Sequence, residues 1–171
     1  INPLSIIRLD DNLLDINDIQ LFYQSIVHRK TAMDNLQHLY LNSNPDIYSF
    51  DSMELLFKAI GQRCPNLKTL SLRRINLLND EIFKIIVAFY KKYGKDKKTK
   101  LTTISLVGCS SISLEGIDWF NKNLFELQTD KNDNLFSNID ILINIPKTQI
   151  IKHHHNHRWD KRIVVVGCAK N

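Results

Sequence analysis

Apolar residues along the chain fall into two alternating periods. In short stretches they take the spacing L-x-x-L-x-L, whose last two leucines are parted by one outward residue, as on a strand with one buried face. Leu36, Leu39 and Leu41 follow this spacing and lead to Asn44; Leu67, Leu70 and Leu72 lead to Ile75; Leu101, Ile104 and Leu106 lead to Cys109. Two further copies are Leu4, Ile7 and Leu9 with Asn12, and Phe136, Ile139 and Ile141 with Asn144. The five begin at positions 4, 36, 67, 101 and 136, 31 to 35 residues apart. A sixth, Ile163, Val166, Cys168 and Asn171, begins 27 residues later. One internal spacing recurring at a nearly constant interval predicts a chain built from repeated units.

Between these motifs the apolar period lengthens to that of a helix. Ile19, Phe22, Tyr23, Ile26 and Val27 follow the capping candidates Asp15 and Asn17. Met53, Leu55, Leu56, Phe57 and Ile60 follow Asp51 or Ser52 and close near Gly61. Ile82, Phe83, Ile85, Ile86, Phe89 and Tyr90 follow Asn79 and end at Gly94, while Ile117, Trp119, Phe120 and Leu124 follow Ser113. Each unit is therefore a strand followed by a helix, and neither could bury its apolar face alone. The predicted fold class is α/β: a right-handed β-α superhelix of about five units, with strands lining a concave face and helices on the convex one. The units span residues 1–144. Residues 145–171 form a C-terminal capping segment in which Arg162–Cys168, RIVVVGC, supplies a last, covered strand. The Asn or Cys that ends a motif is expected to satisfy backbone groups where the chain bends out of the strand.

The stretches RCPNLKTLSLRRINLLNDEIF from Arg63 and LTTISLVGCSSISLEGIDWF from Leu101 run from a strand motif through a bend to an acidic or Ser-capped helix start. In this the chain resembles leucine-rich repeat proteins, in particular the cysteine-containing, ribonuclease-inhibitor-like subgroup found in F-box substrate receptors and antagonist-of-mitotic-exit-network proteins. The resemblance implies a solenoid whose concave face holds a regulated intracellular protein, delivered for ubiquitination or kept inhibited. It would also admit a GTPase-regulating repeat protein.

Composition narrows the setting. The chain has 171 residues, 43% of them hydrophobic, enough for a continuous core. No apolar run approaches the eighteen residues of a spanning helix, so no membrane partner is expected. Three scattered cysteines, Cys64, Cys109 and Cys168, do not make a disulfide framework. The expected setting is therefore a reducing one, intracellular and cytoplasmic or nuclear.

Strand alternation selects the candidate site. With Leu39 and Leu41 facing the core, His38, Tyr40 and Asn42 face outward, as do Arg8 and Asp10 on one side and Ser71 and Arg73 on the other; Arg74 follows in the bend. Tyr and Arg are the residue types that dominate protein-binding hot spots. Arg8, Asp10, His38, Tyr40, Asn42, Ser71, Arg73 and Arg74 are thus the predicted partner-binding residues, with Tyr40 and Arg73 expected about one strand spacing apart, roughly 5 Å. Other features point elsewhere. The run KKYGKDKKTK, Lys91 to Lys100, could neutralise phosphates and makes a nucleic-acid or chromatin-associated scaffold the alternative. Yet only Tyr93 could stack on a base there. HHHNHR, His153 to Arg158, has imidazoles but no acidic or thiolate partner, so it reads as a polar loop and no metal site is expected. Phosphate-loop, nucleophile-elbow and H-E-x-x-H motifs are missing, and no cofactor or enzymatic activity is predicted.

Overall fold

In the first four units, strands of three or four residues follow from motifs that hold one or two outward positions before the chain must turn. A computed structural model describes residues 4–28, 33–94, 98–127, 140–146 and 163–168. Its strands are β1 (Ile6–Arg8), β2 (His38–Tyr40), β3 (Thr69–Ser71), β4 (Thr103–Leu106), β5 (Asp140–Pro146) and β6 (Ile163–Cys168). All are parallel, and they lie in one sheet in chain order. Between them run α1 (Ile16–Val27), α2 (Phe50–Arg63), α3 (Glu81–Tyr93) and α4 (Leu114–Leu127). The class is α/β. Each helix packs on the next, forming a layer over one face of the sheet.

The register sets equivalent residues side by side. Ile7, Leu39, Leu70, Ile104 and Ile141 are successive partners across the first five strands. Leu39, Leu70 and Ile104 are wholly buried in one core with Leu56, Ile60, Phe83 and Ile86 of the helices. Aromatic rings extend this core: Phe83 stacks on Phe120 at 4.8 Å, and Phe89 meets Phe57 edge-on at 5.4 Å. Tyr90 is buried too, and its hydroxyl donates to the Leu101 carbonyl at 2.8 Å, tying α3 to the approach of β4.

The same register corrects two motif frames. Ile104 pairs with Ile141 and Leu106 with Ile143, so the fifth motif lies two residues later than the spacing from Phe136 suggests. Alternating apolar residues from Ile139 to Ile145 fit either frame, and pairing with β4 selects the later one. Ile141 in turn pairs with Ile163 and Pro146 with Cys168. Cys168, expected as the last apolar position of the sixth motif, instead stands in line with the bend position occupied by Cys109 in β4's unit.

Helix starts show how local chemistry sets the boundaries. Asp15 caps α1 as expected, accepting from the Asp18 amide at 3.0 Å while Asp18 accepts from the Asp15 amide at 2.9 Å. The α2 cap is Ser49, earlier than Asp51 or Ser52; Ser49 and Ser52 exchange the same pair of bonds, serine standing where a glutamate is usual. Asn79 accepts from the Glu81 amide at 3.0 Å, and Ser113 accepts from the Gly116 amide at 3.0 Å. The α2 helix ends at Arg63, two residues past Gly61 and so near it as expected, and the glycine itself admits the Tyr93 ring, since a Cβ there would fall within 3.0 Å of it.

The bends after the strands share one backbone solution. Asp11, Ser43, Arg74 and Gly108, each two residues past Leu9, Leu41, Leu72 and Leu106, have φ of 55°, 56°, 57° and 81°. A left-handed residue other than glycine costs about 1–2 kcal/mol. The cost is offset because hydrogen bonds between neighbouring units continue around the corner: Asp11 to Asn42, Ser43 to Arg73 and Arg74 to Val107, all 2.8–3.0 Å from amide to carbonyl.

Asn44 holds the first of these corners. It is wholly buried, its Oδ1 accepts from the Asn12 and Leu14 amides at 3.0 and 3.1 Å, and its Nδ2 donates to the carbonyls of Leu9, Leu41 and Asn42. The Cys109 thiol does the corresponding job for its own predecessor, donating to the Leu72 carbonyl at 3.1 Å. Ile75 has no donor to offer Leu41, and Asn44 covers that carbonyl in its place. Replacing Asn44 by Ala strands several buried backbone groups, so it should cost about 2–4 kcal/mol in urea unfolding, against a few tenths for the exposed Asn12→Ala.

Candidate functional site

The face of the sheet opposite the described helices carries the outward residues, but the structure divides them into two groups. Three are occupied by the fold. Asp10 accepts from the Asn42 amide at 2.9 Å. Asn42 Oδ1 accepts from the Arg73 amide at 2.8 Å and from the Ser71 hydroxyl at 2.7 Å. Ser71 is 3% exposed, so it does not offer the contact surface expected of it. Its small side chain sits below its larger neighbours. These residues pass a backbone-capping role from one unit to the next, and Arg73, which has no acceptor, ends the series.

Five remain open to a partner: Arg8, His38, Tyr40, Arg73 and Arg74. Arg8, Arg73 and Arg74 are exposed and His38 and Tyr40 half-buried. Tyr40 lies beside Arg8, its register partner, whose guanidinium carbon sits 4.0 Å from the ring centroid. That geometry gives a cation–π contact of about 0.5–1 kcal/mol at a wet surface. Arg8 also stands 4.0 Å from the Asp10 carboxylate, an exposed pair that adds little. His38 also stacks with Tyr40, the ring centroids 6.4 Å apart. The arginine next to Tyr40 is therefore Arg8 and not Arg73. Tyr40 is paired with Ser71 on β3, and Arg73 comes two residues further along, level with the end of the strand rather than its centre.

Arg73 and Arg74 instead line a depression of about 370 Å³ with Asn42, Val107 and Gly108. Gly108 is a site residue that strand alternation alone does not reveal. The available signal is a glycine directly before Cys109, where the equivalent bends carry Asp11, Ser43 and Arg74; a Cβ there would come 2.9 Å from Cγ of Arg74. A second hollow, about 490 Å³, opens between α2 and α3, with Phe50, Leu55 and Phe89 on its walls and Lys58, Lys84 and Lys92 around it.

Of the basic run, Lys91, Lys92, Lys98 and Lys100 are exposed; the first two end α3, where a helix favours positive charge. Lys95, Asp96 and Lys97 lie outside the described residues, as do His153 to Arg158 and most of the expected capping segment. Among the described residues no cluster of three His, Cys, Asp or Glu side chains could hold a metal, and no helix is long and apolar enough to cross a membrane.

Comparison with protein-family models, with curated proteins and with solved structures finds no match to this chain. Its own chemistry is a row of aromatic and cationic side chains on one face, with the Asp10 carboxylate and Asn42 Oδ1 already engaged by backbone amides. The thiols add no reactive group to it. Burial pushes both Cys64 and Cys109 up to about 11, so each is protonated at neutral pH. In a Cys168→Ser background the folded protein should react with iodoacetamide at pH 7.5 at least tenfold more slowly than the same chain in urea. Fast modification of Cys109 without unfolding would contradict its place in the bend.

Proposed function

We propose that the chain is a leucine-rich repeat solenoid that acts as a protein-recognition module, a substrate receptor or adaptor holding a regulatory protein on its concave face. The observation that carries this reading is the sheet face opposite the described helices, where Arg8, His38 and Tyr40 form one contiguous stack and Arg73 and Arg74 line a hollow. The in-order parallel sheet with helices layered on one side is what such a solenoid requires. Stacked Tyr and Arg offer contact area whose side chains are already ordered, so little entropy is lost on docking. Resemblance to F-box receptors suggests a role in ubiquitin-dependent or cell-cycle control. No catalytic group is assigned.

The alternative, a nucleic-acid scaffold, draws on the exposed lysines at the end of α3. Salt separates the two, since phosphate contacts weaken steeply with ionic strength and a mixed aromatic interface does not. Double replacement Tyr40→Ala with Arg73→Ala should remove capture of the cellular partner from extract by tenfold or more with an unchanged circular dichroism spectrum. Neutralising Lys95, Lys97 and Lys98 should leave capture intact. Loss of binding in the lysine variant alone, or a nuclease-sensitive partner, would replace the concave-face reading with the alternative.

A further inference from the structure

The hollow beside Gly108 is built from donors. Arg73 and Arg74 are exposed on its rim, and among the described residues no acidic side chain pairs with either guanidinium. Asn42 contributes a third donor, because the Arg73 amide and the Ser71 hydroxyl hold its Oδ1 inward and so orient the carboxamide. That leaves Nδ2, which bonds no described residue, as the free donor of a side chain that lines the hollow. The absence of a Cβ at Gly108 makes room for the Arg74 side chain, whose Cγ would stand 2.9 Å from it. Arg74 is held in its left-handed conformation by the bond from its amide to the Val107 carbonyl, so the backbone that carries the two arginines is set before any ligand arrives.

We propose that this hollow seats a phosphorylated side chain of the partner protein. The proposal rests on the reading of this face as the recognition surface and names what it recognises. A single carboxylate would fill one guanidinium fork and leave the second charge uncompensated. A phosphoryl group, carrying about −1.5 to −2 charge at pH 7 and three acceptor oxygens, matches two guanidinium groups and an amide. A nucleic-acid phosphate brings a single charge and relies on base stacking for the rest of its affinity, and here the face of Tyr40 is already covered by Arg8.

The test uses the whole chain and O-phospho-L-serine as probe, followed by NMR at the arginine Nε–H and asparagine side-chain signals. Saturable shifts confined to Arg73, Arg74 and Asn42 are expected. L-aspartate at equal ionic strength should give at least tenfold weaker shifts, and Arg73→Gln with Arg74→Gln should abolish the response while the remaining spectrum is retained. Shifts spread equally over Lys91 and Lys92, or equal for aspartate, overturn the proposal. Capture from extract then distinguishes the proposal from the reading beneath it. Phosphatase treatment should reduce capture at least tenfold. Capture that survives phosphatase but is lost with Tyr40→Ala keeps the recognition face and removes the phosphate; capture lost to nuclease removes both.

Discussion

In the first four units the chain leaves a parallel strand after only three or four residues, and at that corner the backbone turns sharply while several of its peptide groups are still shielded from water. Everything else in the architecture depends on how those groups are satisfied. An unpaired buried amide or carbonyl costs about 1–3 kcal/mol, and a corner exposes several at once. The solution is to hand each group to the neighbouring unit. Asn44 reaches back to Leu9, Asn12 and Leu14, Cys109 to Leu72, and the left-handed residues pass their amides forward to Asn42, Arg73 and Val107. Because the bonds cross between units, no corner is complete without its neighbour. Cohesion along the stack therefore rests on hydrogen bonds at the strand ends as well as on the leucines beneath them.

That constraint also decides which surface residues are available for recognition. Asp10 and Asn42 look like binding residues by position and by polarity, yet each accepts from the backbone of the next strand's end. Fixing them is what aims the rest. With the corners locked in a common register, Arg8 falls over Tyr40, and Arg73 and Arg74 are left at the end of the series with donors and no acceptor on offer. The positive character of this face thus comes less from an excess of basic residues than from internal use of the acceptors.

The leucine spacing images burial in the second to fourth units, whereas Leu4 of the first is 59% exposed; the strands of the first four units, their helices and the parallel order are nonetheless legible in the residues from Leu4 to Leu124. Where the apolar pattern is ambiguous the reading slipped. The alternation around Ile141 fits two frames, and only pairing with Ile104 separates them. Ser49 lacks the usual sequence signature of a cap because its reciprocal partner is another serine instead of an acid. At the candidate site, alternation identified the right face but not the offset between strands, and so paired Tyr40 with Arg73 rather than with Arg8. The burial of Ser71 and the donor-lined hollow depend on neighbours some thirty residues away, which no local pattern contains.

The most direct test of this account is amide hydrogen exchange at Asn12, Leu14, Asn42 and Arg73, four backbone groups whose acceptors are side-chain oxygens rather than strand partners. If side chains hold the corners, these amides should be slowed by two orders of magnitude or more relative to an unstructured chain, approaching the amides of β2 and β3. Exchange at unprotected rates while β2 and β3 remain protected would show that the corners are open to water, and that the core leucines alone hold the units together.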